Sequence, residues 1–135
     1  MAFRTRESLD TNVILRLMLA DMPEQCLKIQ DLLMRNGVAY DVADLAIMEA
    51  VHVMQSFYAL SREEIVSGVR RLLWFPEIKY NQELFKRVLP MYLKHPKLSF
   101  NDCCLAVYAE LNEAEPLWTF DKALAKQSGT AKLVG

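Results

Sequence analysis

Apolar residues recur at helical spacing through most of the chain, interrupted by short stretches that suit strands. Val13, Ile14, Leu17 and Met18 predict a helix over 11–20. Pro23 then opens a second helix carrying Leu27, Ile29, Leu32 and Leu33, with Gly37 placed to end it. Residues 38–42 read as a strand, and Asp44 as the N-cap of a helix through 57 with Ile47, Val51 and Met54 on one face. Ser61 with Glu64 has the spacing of a capping box, and the helix it starts must stop near Trp74, ahead of Pro76. Asn81 caps a helix bearing Leu84, Phe85 and Val88, which Pro90 is expected to kink or divide. Ser99 with Asp102 marks another start, followed by Leu105, Ala106, Ala109 and Leu111. Residues 116–120 and 131–134 are strand candidates around a short helix over 121–126.

Seven helices alternating with strands argue for a parallel sheet covered on both sides. The opening segment 3–9 fits least, because Arg4, Arg6 and Glu7 give it little buried character. A strand ending at Asp10 must therefore be short, with Leu9 among its few core-facing residues. That placement still matters, since open α/β sheets bind ligands beyond the carboxyl ends of their strands.

With 135 residues, one domain over 1–135 is expected. An apolar fraction of 53% with four glycines and five prolines disfavours disorder and long linkers. No apolar run approaches the length of a membrane span and residues 1–10 lack the apolar core of a secretory signal, so a cytoplasmic protein is expected. Cys26, Cys103 and Cys104 are an odd set without Cys-x-x-Cys spacing and read as reduced, mostly buried thiols. The net charge of −1 creates no overall field, but between Arg62 and Lys97 basic residues outnumber acidic ones. Solvated helix faces explain that excess most simply; a phosphate-steering surface is the functional alternative.

Four carboxylates stand at or just inside helix starts: Asp10, Glu49, Asp102 and Asp121. Each aspartate alone is explained as a cap or first-turn acid. Glu49 is different, because Ile47, Met48, Ala50 and Val51 flank it, and a buried carboxylate there needs a cation or hydrogen-bond donors. Carboxylates gathered at one crevice would repel one another unless a cation compensated. Oxygen-only ligands suit Mg²⁺ or Mn²⁺, ions that lower the pKa of bound water and neutralise charge in an in-line displacement.

The ordered set Leu9-Asp10-Thr11-Asn12-Val13-Ile14-Leu15, Glu49, Ser99-Phe100-Asn101-Asp102 and Thr119-Phe120-Asp121 resembles the PIN-domain nucleases, especially their small VapC-like members. The resemblance runs from about Leu9 to Val134. It implies a three-layer α/β/α domain with a mainly parallel central sheet of four to five strands. It also implies Mg²⁺- or Mn²⁺-dependent endoribonuclease activity, leaving a 5′-phosphate and a 3′-hydroxyl. By that resemblance Asp10, Glu49, Asp102 and Asp121 are the catalytic and metal-holding acids, while Thr11, Asn12 and Thr119 support them. It further implies a homodimer and an antitoxin protein, as in type II toxin-antitoxin pairs. A housekeeping RNA-processing nuclease and a non-catalytic RNA-binding or protein-interaction module are the alternatives.

Glu49 with His52 has the Glu-x-x-His spacing of di-iron bundles, but a second such pair is missing. His95, beside Pro96, carries no specific signal. No nucleophile elbow, P-loop or dinucleotide fingerprint occurs. Trp74, Phe75 and Tyr80 offer rings for unpaired bases, although Trp74 and Phe75 end an amphipathic helix, where a core or interface role is the plainer reading.

Overall fold

The computed structural model describes residues 3–135, which divide after Tyr80 into two compact units. The first contains β1 (Thr5–Ser8), α1 (Thr11–Leu19), α2 (Pro23–Leu33), β2 (Val38–Asp41), α3 (Asp44–Ser56), α4 (Arg62–Leu73) and β3 (Ile78–Lys79). Its strands form a parallel ladder in the order β1-β2-β3, with Thr5 opposite Val38, Ser8 opposite Asp41 and Tyr40 opposite Ile78. β2 is therefore the middle strand, and its Val38, Ala39 and Tyr40 are buried. All four residues of β1 are exposed, and Leu9, directly after it, turns into the core at 7% exposure.

The core of this unit follows the helical periodicity. Ile14, Leu17 and Met18 of α1 are buried, as are Ile47, Ala50, Val51 and Met54 of α3 and Ile65, Val69 and Leu72 of α4. Gly68 lets α4 approach α1: a Cβ there would lie 2.8 Å from Met54 Cε and 3.0 Å from the Met18 carbonyl oxygen. Helix α1 ends in a left-handed Ala20 whose N–H bonds the Arg16 carbonyl, and Gly37 adopts φ +78° in the turn before β2.

The second unit contains α5 (Gln82–Lys94), α6 (Phe100–Leu111), β4 (Leu117–Thr119), α7 (Lys122–Gln127) and β5 (Ala131–Leu133). Strands β4 and β5 pair in parallel, Leu117 opposite Ala131 and Thr119 opposite Leu133. Phe100 lies between α5 side chains, stacked on Phe85 at 6.2 Å and edge-on to Tyr92 at 5.3 Å. Cys103 and Cys104 are both fully buried thiols, and Cys26 is half-buried.

Several expectations need correction. Helix α5 runs through Pro90 without division, because Leu84, Phe85, Val88, Leu89 and Tyr92 bury one continuous face on both sides of it while Pro90 stays exposed. Asp44 is the first helical residue of α3 and not its cap; Ala43 occupies that position without a side-chain bond. The two-residue β3 was not anticipated; the strands pair in parallel throughout, three in the first unit and two in the second, as a mainly parallel α/β fold requires.

Candidate metal centre

At the start of α1, Asp10 has the extended backbone of an N-cap, and its Oδ1 accepts the Val13 N–H at 3.1 Å. The same helix start brings Thr11 against α3, where its Oγ1 donates to Glu49 Oε2 at 3.0 Å. Glu49 is exposed, so the anticipated burial penalty does not arise; the apolar face of α3 is formed by Ile47, Ala50, Val51 and Met54, and Glu49 points away from it. Asp10, Thr11 and Glu49 are thereby assembled from segments far apart in sequence. Asn12 is exposed in the first turn of α1.

The second unit holds the other two acids. Ser99 and Asp102 form a reciprocal capping box, with Ser99 N–H donating to Asp102 Oδ2 at 3.2 Å and Asp102 N–H to Ser99 Oγ at 3.0 Å. Asp121 caps α7, its Oδ1 accepting from Ala123 N at 2.8 Å and Leu124 N at 3.1 Å, while its own N–H donates to Thr119 Oγ1 at 2.9 Å. In all three aspartates one carboxylate oxygen bonds the backbone and the other accepts no hydrogen bond among the described residues. A carboxylate so fixed keeps an oriented oxygen for an ion or a phosphate-bound water.

Among the described residues, no group of three or more His, Cys, Asp or Glu side chains stands close enough to hold a metal ion. The donor chemistry nonetheless fits a hard cation. Mg²⁺ typically takes one or two carboxylates from protein and completes its shell with water and substrate phosphate. Asp10 and Glu49 would supply that pair in the first unit, with Asp102 and Asp121 offering the same oxygen donors in the second. His52 is exposed on α3, and His95 Nδ1 hydrogen-bonds Gln127 Oε1 at 3.0 Å.

One neighbour of the Asp10 helix start escaped the sequence reading. Asp41, at the carboxyl end of β2, accepts the Leu9 N–H on its carbonyl at 3.1 Å, and its Oδ1 is gripped by Arg6 Nε at 3.0 Å and Nη2 at 2.8 Å. The pairing offsets one negative charge beside Asp10. Its position at a strand end was the available signal, but Arg6 lies 35 residues away and nothing local connects the two.

The PIN domain family matches this sequence over residues 8–129. The chain belongs to the PIN domain family. Its helices and parallel strands are those of this α/β fold, and PIN domains are generally nucleases. Among solved structures, the crystal structure of PAE2754 from Pyrobaculum aerophilum is 20% identical, covering 98% of this chain and 90% of that one, with a TM-score of 0.32. A comparison with curated proteins returned no match. Among the described residues no helix is long and apolar enough to cross a membrane.

Proposed function

We propose that this PIN chain is a Mg²⁺- or Mn²⁺-dependent endoribonuclease, the toxin of a VapC-like type II toxin-antitoxin pair. In this reading residues 1–135 work as one domain in the cytoplasm, as a homodimer restrained by an antitoxin protein. The observation that carries it is the Thr11–Glu49 hydrogen bond at the helix start capped by Asp10, inside a family of nucleases.

The bound ion would activate water and neutralise charge developing on the scissile phosphate. The side chains perform the remaining tasks. Val13 N–H holds Asp10 Oδ1, so Oδ2 is left to serve the ion. Thr11 fixes Glu49 Oε2 and leaves Oε1 for the ion. Asp121 and Asp102, each anchored by a cap, are the other two acids that this reading assigns to metal holding. Thr119 accepts from Asp121 N–H, leaving its own hydroxyl proton to donate to a phosphate oxygen, and the exposed Asn12 amide offers a second donor.

The test is cleavage of a defined single-stranded RNA by purified protein with Mn²⁺ or Mg²⁺. Loss of cleavage with EDTA and in identically purified Asp10→Asn supports the reading; full activity in the variant sinks the site assignment. A housekeeping processing nuclease would pass the same test, and an antitoxin-like reading frame directly upstream separates the two. The absence of a three-acid cluster among the described residues favours a second reading, an RNA-binding or protein-interaction module without turnover. Concentration-dependent thermal stabilisation by Mn²⁺ is expected of the nuclease and not of that module.

A further inference from the structure

Beside Asp121 the chain leaves two large rings in water. Along β4 and the residue after it, Leu117 and Thr119 are half-buried while Trp118 and Phe120 are 61% and 81% exposed. The alternation is that of a strand with one outward face, and here that face carries aromatics where polar residues are usual. Lys132 of β5 lies directly opposite Trp118 in the parallel ladder, so the two share this face, and exposed Val134 follows two positions on. Among the described residues the side chains of Trp118, Phe120 and Lys132 make no hydrogen bond, ion pair or ring contact. Exposed lysines at 122 and 126 on α7 add positive charge nearby.

Residues two apart on a strand stand about 7 Å from each other, and rings at about that spacing, Phe120 directly following the strand, suit bases splayed out of a helix. Unpaired bases stack on aromatic side chains presented by sheet faces, and lysine ammonium groups follow the phosphates between them. An exposed apolar surface, here directly beside Asp121, also marks an interaction site on general grounds. We infer that Trp118, Phe120 and Lys132 form a platform for single-stranded RNA, stacking the bases that flank the phosphate presented to Asp121. The platform rests on the ribonuclease reading and adds to it a binding surface: Trp118, Phe120 and Lys132 hold the strand by its bases, with little dependence on sequence.

The chain has two tryptophans, so Trp74→Phe leaves Trp118 as the sole indole reporter. Titration of this full-length variant with a uridine dodecamer in EDTA should quench Trp118 emission saturably. Anisotropy of labelled dodecamer should show binding weakened roughly 5- to 100-fold in Trp118→Leu and Phe120→Leu. Leucine retains apolar bulk, so a surface that merely docks a protein would tolerate these changes. Lys132→Ala should reduce the salt dependence of binding by about one phosphate contact.

Unchanged RNA affinity in both leucine variants, or binding seen by anisotropy without any change in Trp118 emission, would overturn the platform. Emission that ignores RNA but shifts with protein concentration would assign the face to a second copy and overturn it equally. Cleavage by the unsubstituted chain, measured in parallel, separates the two readings. Cleavage together with ring variants that bind normally defeats the platform alone. RNA binding and quenching without cleavage support the platform and defeat the nuclease, and the absence of both binding and cleavage defeats both.

Discussion

Asp10 has two duties, capping α1 and holding charge for a cation, and substitution separates them. Asn retains an oxygen that accepts the Val13 N–H, and Asn and Asp are about equal as N-caps. The lost negative charge at the helix N-terminus costs about 0.3–1 kcal/mol. Ala removes the 3.1 Å bond as well, and loss of a side-chain cap costs about 0.5–2 kcal/mol. At roughly 3–5 °C per kcal/mol for a domain of this size, Asp10→Asn should melt within about 5 °C of the parent and Asp10→Ala below it. Activity should rank differently. Both variants lose the second carboxylate oxygen, so cleavage should fall at least about 100-fold in each, beyond the upper range seen for groups that only support a metal ligand. Thermal denaturation with initial rates on labelled single-stranded RNA measures both quantities on the same preparations. An Asp10→Asn protein that cleaves within twofold of the parent refutes the metal-holding role. An Asp10→Ala protein as stable as the parent refutes the capping energetics.

The orienting role of Thr11 predicts that Thr11→Ser preserves cleavage, whereas Thr11→Val lowers it about tenfold or more and raises the Mn²⁺ concentration required; equal activity in the two would remove Thr11 from the site. Gly68→Ala should destabilise the first unit: better helix propensity offers about 1 kcal/mol, but the new methyl meets the backbone oxygen of Met18 at 3.0 Å, and overpacking costs about 1–3 kcal/mol. A rise in melting temperature would show that α1 and α4 separate easily. The Ser61 backbone N–H, followed by its hydroxyl, holds the Glu64 carboxyl below its usual pKa of 4.5. A depressed acid contributes stability above its unfolded pKa and loses it as pH falls through the folded value. The parent should therefore exceed Glu64→Gln in stability at pH 7, and the difference should shrink as pH falls below 4.5; a constant difference from pH 7 into that acid range, read by urea denaturation, would contradict the capping assignment.

Helix starts were legible in the chain because a capping residue and its backbone partner lie within three or four positions of each other. Asp10, Ser61 with Glu64, Asn81, Ser99 with Asp102, and Asp121 all cap as their spacing indicates. The amphipathic periods likewise located the buried faces of α1, α3 and α4, since burial on a regular helix repeats with the helix itself. Pro90 and Asp44 failed as local signals because packing along α5 outweighed one missing N–H, and because α3 began at Asp44 with Ala43 in the cap position. Strand β3 is too short to show any period.

Only the tertiary structure could join Thr11 to Glu49, 38 residues apart, or Arg6 to Asp41, 35 apart, because such pairs depend on which elements are brought side by side. It also decided which side of β4 faces water. An alternating strand sequence states that Trp118 and Phe120 share a face; the packing around the strand determines that this face is exposed. Local hydrogen bonding is written within a few residues, whereas exposure and convergence are properties of the whole arrangement.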